Sequence, residues 1–154
     1  MRRMSGAALC SRRLLEALAC VAVVTLCAVT STAQTPEQFR DRLSRLPVDR
    51  VTASTISGQG EVEATLDGHT LTITATFEDV SSPATVAHLH HGPRARPGPV
   101  VFTIDAPPAT NGEISDTITL TDPQREELRS GRYYLQIHTE GNPAGELRGW
   151  LLPQ

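Results

Sequence analysis

Two runs of strict alternation meet at one tight turn. Val62, Ala64 and Leu66 alternate with Glu61, Glu63 and Thr65. After Asp67-Gly68, Leu71, Ile73, Ala75 and Phe77 alternate with Thr72, Thr74 and Thr76. A period of two puts the apolar residues of both runs on one face of a pleated pair of strands. Asp-Gly between such runs marks a two-residue hairpin loop. With Asp67-Gly68 as that loop, Leu66 faces His69, Ala64 faces Leu71 and Val62 faces Ile73, so the apolar faces match.

Further short strands are expected at Thr85–His90, Val100–Ile104, Ile114–Leu120, Tyr133–Thr139 and Glu146–Leu152. Between the third and fourth of these, Asp122-Pro123 opens a short helix that Gly131 stops. About seven or eight short strands punctuated by Gly, Pro, Asn and Asp make an all-β chain, a Greek-key sandwich or barrel.

The N-terminal side reads differently. Thr35-Pro36-Glu37-Gln38 has the spacing of a capping box with Pro in the first turn. Phe39, Leu43 and Leu46 follow at i, i+4 and i+7 and Pro47 ends the run, which predicts a short helical arm over 34–50 ahead of a sandwich domain over 51–154. Residues 1–33 begin with Arg2, Arg3, Arg12 and Arg13. They continue through an apolar run from Leu14 to Val29 and end with the small residues Ser31 and Ala33. That pattern is a cleaved secretory signal, and Ser11-Arg12-Arg13-Leu14-Leu15 also resembles a twin-arginine signal. The expected destination is the periplasm or the exterior, with no membrane anchor left after cleavage.

Cys10, Cys20 and Cys27 all fall in the signal, so the mature chain meets an oxidising compartment without a disulfide. The sequence has no lysine, and loss of four arginines and one glutamate with the signal takes the formal charge from −3 to −6. An acidic chain with scattered arginines excludes nucleic acid as an expected partner and excludes polybasic membrane contact. There is no mature cysteine nucleophile, no G-x-S-x-G and no phosphate-cradling glycine loop, so no catalytic residue is assigned.

Three of the five histidines fall in Ala87-His88-Leu89-His90-His91. His88 and His90 are two apart on a strand and point to one face, where two imidazoles can ligate one ion. His91 is opposite in parity, but the strand ends there. His138 shares the polar face of its strand with Tyr134 and Gln136, opposite Leu135 and Ile137. Placing Ile137 across from Leu147 in the next strand sets Gln136 against Arg148, Tyr134 against Trp150 and His138 against Glu146. In that register Glu146 could orient His138, with a plain Glu146–Arg148 ion pair as the alternative. The expected metal ligands are His88, His90 and His138, with His91 as an additional candidate and Glu146 and Arg148 behind them. One copper or zinc ion suits three imidazoles and an open position. It needs their ring nitrogens within about 3–4 Å of one another, given bonds near 2 Å. His69, just after a turn, reads as exposed, and Arg94 and Arg96 read as solvated charges or as anion-steering groups.

Ala87 to Gly92 followed by Gly98-Pro99-Val100-Val101-Phe102, a short helix, and then Gly131 to Gly149 resembles the CHRD domain, first described in chordin. The H-[IL]-H pattern matches His88-Leu89-His90, and the family's later motif matches Asn142, Pro143, Gly145, Glu146, Arg148 and Gly149. Trp150 stands where many members have glutamine. The resemblance covers roughly Val51 to Leu152. It implies a β-sandwich in an extracellular or periplasmic setting and, through chordin, a role in binding protein partners, but no settled activity. The strand H-x-H with a later histidine is also similar to copper–zinc superoxide dismutases. The bimetal site there takes six histidines and an aspartate, more than this chain offers. The alternatives to a metal-binding protein are therefore a non-enzymatic module binding protein or glycan over a structural histidine cluster, and a dismutase-like redox enzyme.

Overall fold

The computed structural model of the chain describes residues 35–46 and 54–154. The expected signal, residues 1–33, lies outside the described residues, and so does 47–53, where the arm was expected to meet the domain. The described elements are β1 (Glu37–Arg45), β2 (Gln59–Asp67), β3 (Thr70–Glu78), β4 (Ala84–His91), β5 (Val100–Ile104), β6 (Gly112–Thr119), α1 (Asp122–Arg129), β7 (Tyr133–Thr139) and β8 (Leu147–Trp150). All strands join one antiparallel sheet in the order β5-β4-β7-β8-β1-β2-β3-β6, curled into a nearly closed barrel. The end strands β5 and β6 approach without pairing.

The all-β barrel agrees with the sequence, but among the described residues the expected N-terminal helix is absent. Residues 37–45 form β1, which holds the sheet together. Glu37 to Leu43 pair with Leu66 to Gly60 of β2, and Ser44 and Arg45 pair with Arg148 and Leu147 of β8. The free edge of β1 also takes the C-terminal tail, with Arg40 N–H donating to Leu152 O and Gln154 N–H to Gln38 O. Phe39 and Leu43 are four apart, a spacing that shares a face in a helix and in a strand alike. Two unpaired strand edges waiting for a partner decided between them, since a buried ladder leaves no orphaned backbone groups. Gln38, expected to cap a helix, instead accepts a hydrogen bond from the Thr65 hydroxyl at 3.0 Å.

The β2–β3 hairpin forms with its turn one residue later than expected. Asp67 pairs with Thr70, Leu66 with Leu71, Ala64 with Ile73 and Val62 with Ala75, so Gly68-His69 is the loop. Gly68 sits at φ +58, which a first turn residue needs in the tight hairpin turns. The pairing moves by two residues, a full strand period, so every side chain keeps its expected face. Phe39, Leu43, Val62, Leu71, Ile73, Leu89, Leu135 and Ile137 fill the core at 1 % exposure or less.

α1 does carry a capping box: Thr121 accepts from Gln124 N–H, and the Gln124 side chain accepts from Thr121 N–H. Arg129 at its end holds Glu37 of β1 at 2.6 and 2.8 Å, and α1 buries Leu128 against the barrel.

One strand departs from simple alternation. Every residue of β7 is buried. Tyr133, Leu135 and Ile137 belong to the core, while Tyr134, Gln136 and His138 lie on the opposite, outward face. Something must cover that polar face, and the candidate site lies there.

Candidate metal centre

β4 and β7 are sheet neighbours, which the sequence did not foretell. His90 lies across from Tyr134, His88 across from Gln136 and Val86 across from His138. His138 is thus the diagonal neighbour of His88, within reach of a long or ring side chain. The three imidazoles meet on the outward face, each offering a ring nitrogen within 4.8 Å of the others. His88 Nδ1 and His138 Nε2 are already 3.0 Å apart. Two bonds near 2 Å at a tetrahedral angle span about 3.3 Å, so the widest gap, within 4.8 Å, stands up to about 1.5 Å beyond that spacing. Binding of one ion by all three would require the rings to turn about their side-chain bonds and close that gap.

Two loops roof the cluster and set its protons. The Pro93–Gly98 loop brings the Gly98 carbonyl to 2.9 Å from His90 Nδ1, and the Gly98 N–H donates to Tyr134 Oη at 3.0 Å. The loop between β7 and β8 brings the Pro143 carbonyl to 2.9 Å from His138 Nδ1 and the Ala144 carbonyl to 2.9 Å from Gln136 Nε2. A carbonyl only accepts, so His90 and His138 both carry their proton on Nδ1 and present a bare Nε2 lone pair. His138 Nε2 then accepts from His88 Nδ1–H. His90 Nε2 is buried and has no hydrogen-bonding partner.

Both loops need glycine at their closest approach. A Cβ on Gly98 would lie 1.9 Å from the His91 carbonyl oxygen. Gly145 has φ +113, and a Cβ there would lie 2.2 Å from Gln136 Nε2. Beneath the loops, the His90 ring stacks on Tyr134 at 4.7 Å and 4°. The Arg148 guanidinium lies 4.8 Å over the Tyr134 ring and donates twice to Gln136 Oε1, at 2.6 and 2.9 Å.

Three of the expected neighbours are placed otherwise. His91 turns away from the cluster: its Nε2 lies 3.0 Å from Glu127 Oε2 and its ring packs on Tyr133. Arg148 meets neither a histidine nor Glu146; it reaches His138 only through Gln136. Glu146 does not orient His138. The β7–β8 register has Ile137 across from Leu147 as expected, but pairing ends there. Gly145 swings the chain so that the Glu146 carboxylate enters a fully buried pocket. There it accepts from Ser57 N–H, Ser81 N–H, the Ser81 and Thr139 hydroxyls and the Asn142 amide, at 2.6–3.1 Å. Five donors outcompete one imidazole. His69 is half exposed, as expected, with Nδ1 at the Leu120 carbonyl. Arg94 and Arg96 are exposed.

Burial lowers the pKa of His88, and the neighbouring His138 and His90 lower it further. Burial likewise lowers His90, against the opposing pull of the Gly98 carbonyl, with His138 and Arg148 adding to the drop. Both effects favour the neutral imidazoles that a metal ligand requires. Burial pushes Glu146 up, but its hydrogen bonds from Thr139, Ser57, Ser81 and Asn142 prevail and hold it below the ordinary carboxylate value.

The sequence located the three histidines and their shared faces. It missed the carbonyls of Gly98 and Pro143, which carry no side-chain signal, and the stacking of His90 on Tyr134, which needed the β4–β7 pairing. An outward-facing, loop-roofed cluster of three histidines on an antiparallel barrel defines the class. The match to the CHRD domain model spans residues 43–151, so the chain belongs to the CHRD domain family. No curated protein and no solved structure matches it.

Proposed function

We propose that this is an exported CHRD-domain protein that binds one copper or zinc ion through His88, His90 and His138. The observation that carries this reading is His90 Nε2, a buried lone pair with no partner beside two other imidazoles. Leaving such an acceptor unmet costs about 1–3 kcal/mol, and a metal ion is one partner that a bare imidazole lone pair takes. The donor set fits: three imidazoles, two of them held at Nδ1 by backbone carbonyls, which is the usual support for a ligating histidine. His90 and His138 would bind through Nε2 and His88 through the nitrogen facing them. A bound ion would supply a Lewis-acid centre or, as copper, a one-electron couple. His88 is the least buried of the three ligands and leaves the ion a side open to solvent.

The basic start, apolar run and small-residue end of residues 1–33 support export to the periplasm or the exterior. Intact-mass analysis of the exported protein is expected to find its first residue near Gln34.

A protein-docking role has less support. Tyr134 is buried, and among the described residues Val100 is the exposed large apolar side chain, too little for an apolar docking patch. A dismutase-like bimetal centre lacks ligands, since His69 and His91 are engaged elsewhere.

Calorimetric titration of metal-stripped protein with copper and with zinc tests the metal reading. One ion per chain at micromolar affinity or tighter is expected, weakened at least 100-fold in His88→Ala and in His138→Gln. A folded wild type that takes up neither metal overturns it.

A further inference from the structure

Next to the roofed histidines, a second concavity opens between β1, β8 and the Pro93–Gly98 loop. Its walls include Arg45 and Leu46 from the end of β1, Arg94 from the loop, and Arg148 and Trp150 from β8, around a cavity of about 490 Å³. Three arginines therefore line one groove in a chain whose formal charge is −3.

Five of the nine described arginines (Arg42, Arg45, Arg94, Arg96 and Arg148) meet no carboxylate with their guanidinium, and three of the five line this groove. Arg40, Arg125, Arg129 and Arg132 each meet a carboxylate within 4.0 Å. Among the described residues, Arg45, Arg94 and Arg148 meet none. The one acid in the groove, Asp41, is already engaged, accepting from the backbone N–H groups of Arg42 and Trp150 at 2.8 and 2.9 Å. Arg148 is held flat, over the Tyr134 ring at 4.8 Å and the Trp150 ring at 5.8 Å, with Nε and Nη2 on Gln136 Oε1. Its position is fixed before any ligand arrives, which lowers the ordering cost of binding. Trp150 Nε1, a donor with no acceptor of its own, is buried at the same wall.

We propose that this groove binds a small organic anion, a monocarboxylate with a flat apolar body. The guanidinium forks of Arg45 and Arg94 match the planar carboxylate, while Arg148, with Nε and Nη2 on Gln136, adds its charge. The Trp150 and Leu46 side chains match the apolar body, which a bare phosphate or chloride would not use. The groove contains none of the clustered histidines, so the inference stands apart from the metal reading.

Trp150 is the sole tryptophan of the chain, so its emission reports on the groove directly. The full-length protein, stripped of metal with chelator, is titrated with 3-phenylpropionate at low salt. A saturable change in emission is expected at submillimolar ligand. The uncharged 3-phenylpropanamide is expected to bind at least 10-fold more weakly, and so is propionate, which lacks the ring. Arg45→Gln/Arg94→Gln, two exposed positions whose replacement leaves the fold intact, is expected to lose at least 10-fold in affinity. Arg96→Gln, outside the groove, is expected to bind as wild type. An unchanged emission, equal binding of the amide, or a double variant that binds as wild type would each overturn the proposal.

Discussion

His88 Nδ1 lies 3.0 Å from His138 Nε2, and the direction of that hydrogen bond is set from the far side of His138 by the Pro143 carbonyl. With its proton held on Nδ1, His138 can only accept, so His88 donates. Nitrogen NMR of labelled protein near pH 7.5 is expected to show a proton on Nδ1 of each of the three imidazoles. Zinc is expected to move the His88 proton to Nε2 and to leave His90 and His138 unchanged. A cluster in which zinc changes no tautomer and no nitrogen shift would contradict that arrangement.

Glu146 belongs to the fold and not to the cluster. Glu146→Ala strands the N–H groups of Ser57 and Ser81 and the Thr139 hydroxyl, and is expected to cost about 3 kcal/mol of stability. Copper or zinc affinity, measured on the folded fraction, should stay within about threefold of wild type, given the missing contact to His138. Denaturant unfolding and calorimetry on one preparation check both halves.

Gly145 and Gly98 are expected to respond differently from ordinary loop glycines. Gly145→Ala drives a methyl group into Gln136 at a left-handed φ, which releases both Arg148 and the roof over His138. A loss of about 2 kcal/mol or more is expected, together with weaker metal binding. Gly68→Ala, where a Cβ meets nothing within 4 Å, should cost only its backbone strain, about 1 kcal/mol, and leave metal binding alone.

Phe39 tests the role of β1. As part of a detachable arm it would matter little; as a fully buried residue of the strand joining β2 to β8 it should not be replaceable. Phe39→Ala is expected to lower unfolding stability by about 3–5 kcal/mol. Thermal unfolding should remain a single transition, because β1 is paired on both sides within the sheet.

Acid should destabilise the protein in two stages. The folded-state pKa values of His88 and His90 lie below the ordinary 6.5, mainly through burial. The unfolded chain therefore binds more protons in that window, and the stability contributed by neutral rings is complete above pH 6.5 and declines as pH falls. Glu146, whose hydrogen bonds hold it below its ordinary 4.5, contributes stability above that value and loses it further down. Melting temperatures between pH 8 and 3 should show both stages. His88→Gln/His90→Gln is expected to flatten the upper one and Glu146→Gln the lower.

Two similar tetrads show where sequence reading reaches its limit. Thr35-Pro36-Glu37-Gln38 and Thr121-Asp122-Pro123-Gln124 both place Thr and Gln three apart with Pro nearby. Only the second caps a helix. The first enters a strand, because β2 and β8 offer it two open edges. The same limit governs the site. Period-two alternation placed His88, His90 and His138 on their outward faces and set the Ile137–Leu147 register, since a slip of one residue would expose the core. Local pattern also determined the barrel class, because only sheet pairing buries Val62 to Leu66 and Leu71 to Phe77 together.

Tertiary structure decided what lies next to what. The pairing of β4 with β7 brought His138 to His88. Backbone carbonyls of Gly98 and Pro143 fixed the ring protons, and Gly145 turned Glu146 away from the histidines into a pocket of five donors. Periodicity records which face a side chain takes, because that depends on its nearest sequence neighbours. Strand order, loop carbonyls and the partner of a buried carboxylate depend on residues tens of positions away, whose meeting is decided by closure of the whole sheet.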